Sequence, residues 1–177
     1  MPTYRRNFVA GGSYFFTVNL ANRRFRLLTE NIDLLRAAFR YTRQRHPFAI
    51  EAIVVLPDHL HTIWTMPEGD SDFAVRWAIM KARFSRALRK GEPVSASRRR
   101  RRERGIWQRR YWEHTIRDED DFARHVDYIH FNPVKHGHVE SVGAWPFSSF
   151  HRMVRLGFYP ESWAGDPKIQ EGGFGES

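Results

Sequence analysis

Residues 48–66 read FAIEAIVVLPDHLHTIWTM, and the division of this stretch decides the fold. Phe48 to Leu56 is a nearly continuous apolar run, the pattern of a strand buried on both faces. Pro57-Asp58 is a turn signal, and His59 to Met66 reads as the next strand, ended by Pro67-Glu68-Gly69. Alternate side chains of a strand share a face, so His59 and His61 point the same way and Leu60 into the opposite layer. Two imidazoles one pleat apart can bind a single divalent ion. The same pattern also suits two surface histidines on an exposed strand.

Upstream, Gly11-Gly12 marks a turn, and Ser13 to Leu20 is rich in β-branched and aromatic residues, hence a strand. Residues 31–45 predict a helix, with Asn31 as cap, Ile32, Leu35 and Phe39 recurring, and Pro47 just beyond. Downstream, Phe73, Trp77, Met80, Phe84 and Leu88 recur at helical spacing over Asp72–Leu88. Residues 89–105, RKGEPVSASRRRRRERG, read as an arginine-rich flexible loop, either merely solvated or in contact with phosphates. Ile106 to Ile116 reads as a fourth strand. Asp118 to Asp121 then crowd a helix start, where carboxylates suit the dipole. That helix is expected to stop near Asn132, because Pro133 disfavours helical geometry before it. The order is βαββαβ plus one helix and a tail. This predicts an α+β, ferredoxin-like (RRM-like) sandwich on a central antiparallel sheet. Residues 1–140 form the expected domain, and 141–177 a tail packing on or near it.

On the last predicted helix, Tyr128 and Asn132 are four apart and share a face. Tyr128 is expected at the helix edge with its hydroxyl reaching outward. The Asn132 carbonyl oxygen is a hard ligand suited to Mg²⁺ or Mn²⁺. A tyrosine on an amphipathic helix also serves as an ordinary core-edge residue, and spacing does not choose among the six tyrosines.

Composition narrows the function. The chain has 177 residues, 41% of them apolar, and a formal charge of +9 from 29 basic and 20 acidic residues, with a pI near 10.4. So basic a small domain meets a polyanion, nucleic acid before a membrane surface. Aromatic residues at 15%, beyond filling the core, suit stacking on unpaired bases. No cysteine is present, which excludes disulfides, thiolate zinc sites and a Cys nucleophile. No signal-peptide h-region is apparent, and Ala52–Leu56, the best apolar stretch, is too short to span a bilayer. A cytoplasmic, nucleoid-associated protein is expected. Arg5, Arg6, Arg23, Arg24, Lys81, Arg109, Arg110 and Lys135 are candidate phosphate contacts, though each taken singly reads first as a solvated surface charge.

Two segments together carry a resemblance. VVLPDHLHTIW (54–64) resembles the HUH motif of single-tyrosine transposases, and HVDYIHFNPVKHG (125–137) resembles their nucleophile helix. YRRNFVAGGSYFFTVNL (4–20), IWQRRYWEHTIRDEDDF (106–122) and WPFSSFHRMVRLGFYPESWAGD (145–166) extend the similarity to the REP-associated tyrosine transposases over most of residues 4–166. The resemblance implies His59 and His61 as metal ligands, Asn132 as a third, and Tyr128 as nucleophile, with Mg²⁺ or Mn²⁺ as cofactor. It implies single-stranded DNA at repetitive extragenic palindromic hairpins as substrate and a 5′-phosphotyrosine intermediate. A monomer or a homodimer fits, with no membrane and no small-molecule cofactor. The residues alone leave two rivals open, a non-catalytic single-strand-binding module and a metal-dependent phosphoesterase using water.

Overall fold

The computed structural model describes residues 6–165 and 174. The chain runs through β1 (Ser13–Asn19), α1 (Leu27–Glu30), α2 (Ile32–Arg45), β2 (Ala49–Val55), β3 (His59–Thr65) and α3 (Phe73–Ala87). It continues through α4 (Ala96–Arg100), β4 (Trp112–Thr115), α5 (Glu119–Lys135), a 3₁₀ turn (Val142–Ala144) and α6 (Phe150–Arg155). The four strands form one antiparallel sheet in the order β2-β3-β1-β4, the order of the expected ferredoxin-like α+β pattern.

Register assigns the two faces. Phe15 lies opposite Ile63, Thr17 opposite His61 and Asn19 opposite His59. On the other face Tyr14, Phe16 and Val18 join Leu60 and Trp64 in a core closed by α2 and α3. There Trp64 stacks on Trp77 with centroids 4.1 Å apart, and Phe48 packs on Trp64 at the same distance. Burying one such side chain stabilises by about 1.5–3 kcal/mol, so this apolar layer concentrates the fold's stability. The face of the histidines can therefore hold polar groups. It is covered by α5 through Val126, Tyr128 and Ile129, and by Trp145. The segment 145–149 also caps the β2 edge: Ser149 N donates to Ile53 O (2.8 Å) and Trp145 Nε1 to Val55 O (3.0 Å).

Three elements differ from expectation. The fourth strand, expected over Ile106–Ile116, is paired in β4 only from Trp112, with one isolated bridge between Leu20 and Trp107. In between, Lys81 Nζ donates to the Gln108 carbonyl (3.1 Å), and Tyr111 turns into the α3 layer against Phe16. Helix α5 passes Asn132 and continues to Lys135 with Pro133 inside it. Proline has no amide hydrogen to donate and its ring crowds the carbonyl one turn back, yet beyond it His136 N continues the ladder to Asn132 O (3.0 Å). Within 89–105, expected as a flexible loop, α4 is capped by Ser95, and Arg104 is bonded to Glu92 and to the carbonyls of Ser85, Leu88 and Arg89.

Candidate active site

Strand β3 lays His59 and His61 side by side, both buried, with rings 5.0 Å apart and nearly perpendicular. Each imidazole is oriented through Nδ1. Asp58 Oδ1 lies 2.7 Å from His59 Nδ1, and a carboxylate can only accept, so Nδ1–H donates. Thr17 Oγ1 donates to the Phe174 carbonyl (2.9 Å) and stands 2.8 Å from His61 Nδ1. The hydroxyl has one proton, already committed, so His61 Nδ1–H is again the donor. With Nδ1 so engaged, Nε2 is the nitrogen of each ring that could hold a metal. His59 Nε2 is buried with no hydrogen-bond partner among the described residues. That arrangement of two adjacent, oriented imidazoles fits a divalent ion. Burial alone would raise the Asp58 carboxyl. Hydrogen bonds from His59 and Arg23 instead hold it well below the usual carboxylate range.

Helix α5 crosses this face and brings Tyr128 to the pair. The Tyr128 ring lies 5.2 Å from that of His61 and 6.0 Å from Phe15. Its hydroxyl does not reach outward at a helix edge as expected. Tyr128 is fully buried, because Val126 and Ile129 seat the helix on the sheet and Phe174 stacks on the phenol at 3.8 Å. Asn132, one turn on, is likewise fully buried. Lys135 Nζ donates to the Tyr128 hydroxyl at 3.4 Å and lies 4.8 Å from its ring centroid. His136 follows, exposed, with its ring 5.2 Å from that of His59.

The remaining predicted cations divide. Arg23 joins the site through its ion pair with Asp58, and Lys135 through Tyr128. Arg6 and Lys81 do not join it: they lie in the α3 layer, Arg6 on Glu113 (3.5 Å) and over Tyr111 (4.5 Å), Lys81 between Tyr111 and Trp107. Burial pushes the Lys81 ammonium down to about 8. Arg24 and Arg110 are exposed, as is Arg109, which is held by Glu103 (2.9 Å). Arg5 lies outside the described residues. Sequence reasoning missed Thr17, Asp58, His136 and Phe174 as members of the site. Asp58 precedes the first histidine, so the turn signal concealed a local partner. Thr17 lies 44 residues from His61 along the chain, and Phe174 lies 157 from Thr17. A second cluster, His114, Asp121 and His125, ties β4 to the start of α5. Arg117 and Arg124 both pair with Asp121, so its charge is already compensated and the cluster reads as a latch.

The sequence profile described as "Transposase IS200 like" matches residues 10–132. A REP-associated tyrosine transposase of Escherichia coli (strain K12) is 50% identical over 166 residues, covering 94% of this chain and 93% of that protein. A relative from Haemophilus influenzae is 48% identical over 171 residues, covering 96% and 97%. A solved structure of a REP-associated tyrosine transposase bound to a REP hairpin superposes with a TM-score of 0.81 at 49% identity, covering 94% of this chain and 93% of that one. No helix among the described residues is long and apolar enough to cross a membrane.

Proposed function

The chain belongs to the IS200-like transposase family, and from this we propose that it cuts and rejoins single-stranded DNA at repetitive extragenic palindromic hairpins through Tyr128. One observation carries the reading: Tyr128 and the oriented His59–His61 pair meet within a single chain, the phenol ring 5.2 Å from His61. That cis arrangement supports a monomer as sufficient for one cut. The hairpin substrate is the one named for the solved relative. Work on chromosomal repeats implies a cytoplasmic, nucleoid setting.

His59, His61 and Asn132 would hold a Mg²⁺ or Mn²⁺ ion, which when bound polarises the scissile phosphate and offsets its charge. Asp58 and Thr17 fix the two rings, so the nitrogens need no reorganisation at the moment of reaction. The Tyr128 oxygen attacks phosphorus in line. The Oη–P bond forms and the P–O3′ bond breaks, and the proton that the phenol gives up is balanced by the one the departing 3′ oxygen takes up. The products are a 5′-phosphotyrosine and a strand ending in a 3′-hydroxyl. A 3′-hydroxyl attacking that phosphotyrosine reverses the step and joins the strands. Lys135, donating to the phenol oxygen, favours the charge that develops there.

The test is incubation with labelled hairpin DNA and Mg²⁺ or Mn²⁺, followed by denaturing gels. The expected result is a metal-dependent protein–DNA band that Tyr128→Phe abolishes while binding persists. Cleavage without an adduct would instead establish the water-using phosphoesterase, and binding without cleavage the non-catalytic module.

A further inference from the structure

The arginine run of residues 98–104 is split by the fold into two functions. Arg98 and Arg104 turn inward. Arg98 donates to the Trp107 carbonyl (3.1 Å) and its side chain crosses Gly105, where φ is +79° and an added Cβ would come within 3.1 Å of Arg98 Cδ. Arg104 closes the segment onto Glu92 and the end of α3. The two acids of residues 89–105 are both engaged this way, Glu92 by Arg104 and Glu103 by Arg98 and Arg109. Arg99, Arg100, Arg101 and Arg102 remain exposed, and among the described residues none forms an ion pair with a carboxylate.

The position of this loop in the sheet is fixed by pairing. Leu20 bridges Trp107, Gln108 N donates to Asn19 O, and Asn19 is the register partner of His59. The anchored loop therefore leaves the sheet at the end where His59 sits. Residues 95–104 read SASRRRRRER, with no aromatic ring to stack on an unpaired base; an arginine can read a guanine edge, but four in succession suit a line of phosphates better than a single base. What they offer is charge, and duplex DNA is the densest line of charge, about one per 1.7 Å of axis.

We propose that Arg99–Arg102 form a sequence-blind grip on the phosphates of duplex DNA, holding the stem whose adjoining single strand enters at His59 and Tyr128. The assignment of the stem rests on the nuclease reading above; the duplex contact itself does not. The anchors make the grip a fixed one, since Arg98 and Arg104 order the loop before DNA arrives.

The full chain and the variant R99Q/R100Q/R101Q/R102Q are titrated with a labelled duplex of about 20 base pairs and arbitrary sequence, over roughly 50–200 mM salt. The wild type is expected to lose affinity steeply with salt. The variant's log–log slope should be shallower by about 3–4, one phosphate per arginine. The four-lysine counterpart should keep the wild-type slope. A milder pair, R100Q/R102Q, should shift it by about 2 and guards against misfolding of the quadruple variant. An unchanged slope in variants that melt like the wild type overturns the proposal, as does salt-independent duplex binding by the wild type. The titration involves no cleavage, so failure to form a Tyr128 adduct would sink the nuclease reading and leave this outcome standing.

Discussion

Replacing Thr17 by Val tests the idea that a single hydroxyl sets the tautomer of His61. The side chain is fully buried and Val matches its volume, so the change removes a polar atom and little else. His61 Nδ1 then loses its 2.8 Å partner, and the Phe174 carbonyl loses a 2.9 Å donor. A buried donor left without an acceptor costs about 1–3 kcal/mol. Loss of an outer-shell partner typically lowers metal affinity by roughly 10–100-fold, or ~1.4–2.8 kcal/mol. Mn²⁺ affinity, measured by calorimetry or by the spin signal of unbound ion, should fall by that factor in Thr17→Val. It should hold near wild type in Thr17→Ser, which keeps the hydroxyl. Phe174→Ala isolates the stacked ring, because it leaves the main-chain carbonyl, Thr17 and His61 in place. The reasoning is refuted if Thr17→Val binds Mn²⁺ as tightly as wild type while His61→Ala does not bind it.

Two further outcomes follow from specific contacts. Lys135→Gln should slow adduct formation by about 10²-fold with little change in hairpin affinity, since its ammonium faces the phenol oxygen; equal losses in both would recast it as a plain DNA contact. Hydrogen bonding to Arg104 lowers the Glu92 carboxyl from 4.5 to about 2. A depressed folded-state pKa contributes stability above pH 4.5 that is lost as pH falls toward 2. The melting-temperature gap between wild type and Glu92→Gln should therefore be open at pH 6 and close as pH falls through that window; a constant gap would mean that the clamp is not ionic.

The sheet and the histidine pair were legible because they are local. Strand β3 announces its alternation within seven residues, and the apolar run of β2 precedes it. Helix α5 was legible from its acidic start to Tyr128, but not at its end. The rule that proline stops a helix concerns the residue before it, and here the burial of Asn132 and Pro133 outweighs that local preference. The loop of residues 89–105 looked like unopposed charge because nothing in its composition shows that Arg104 reaches back to Ser85 and Leu88. The partners of the imidazoles divide the same way. Asp58 adjoins its histidine, whereas Thr17 becomes a neighbour of His61 only through the β1–β3 register.

That register has a consequence for precision. A strand displaced by one residue exchanges its faces. In β3 the slip would carry both imidazoles beneath α2 and α3 and bring Leu60 or Thr62 to the place of His61 beside Tyr128. Trp64, clamped between Phe48 and Trp77, resists that slip from the opposite side of the sheet. The alignment of the proposed reacting groups is thus guarded by buried aromatic rings on the far side of the sheet, and drift in the core would be felt first as misaimed chemistry rather than as unfolding.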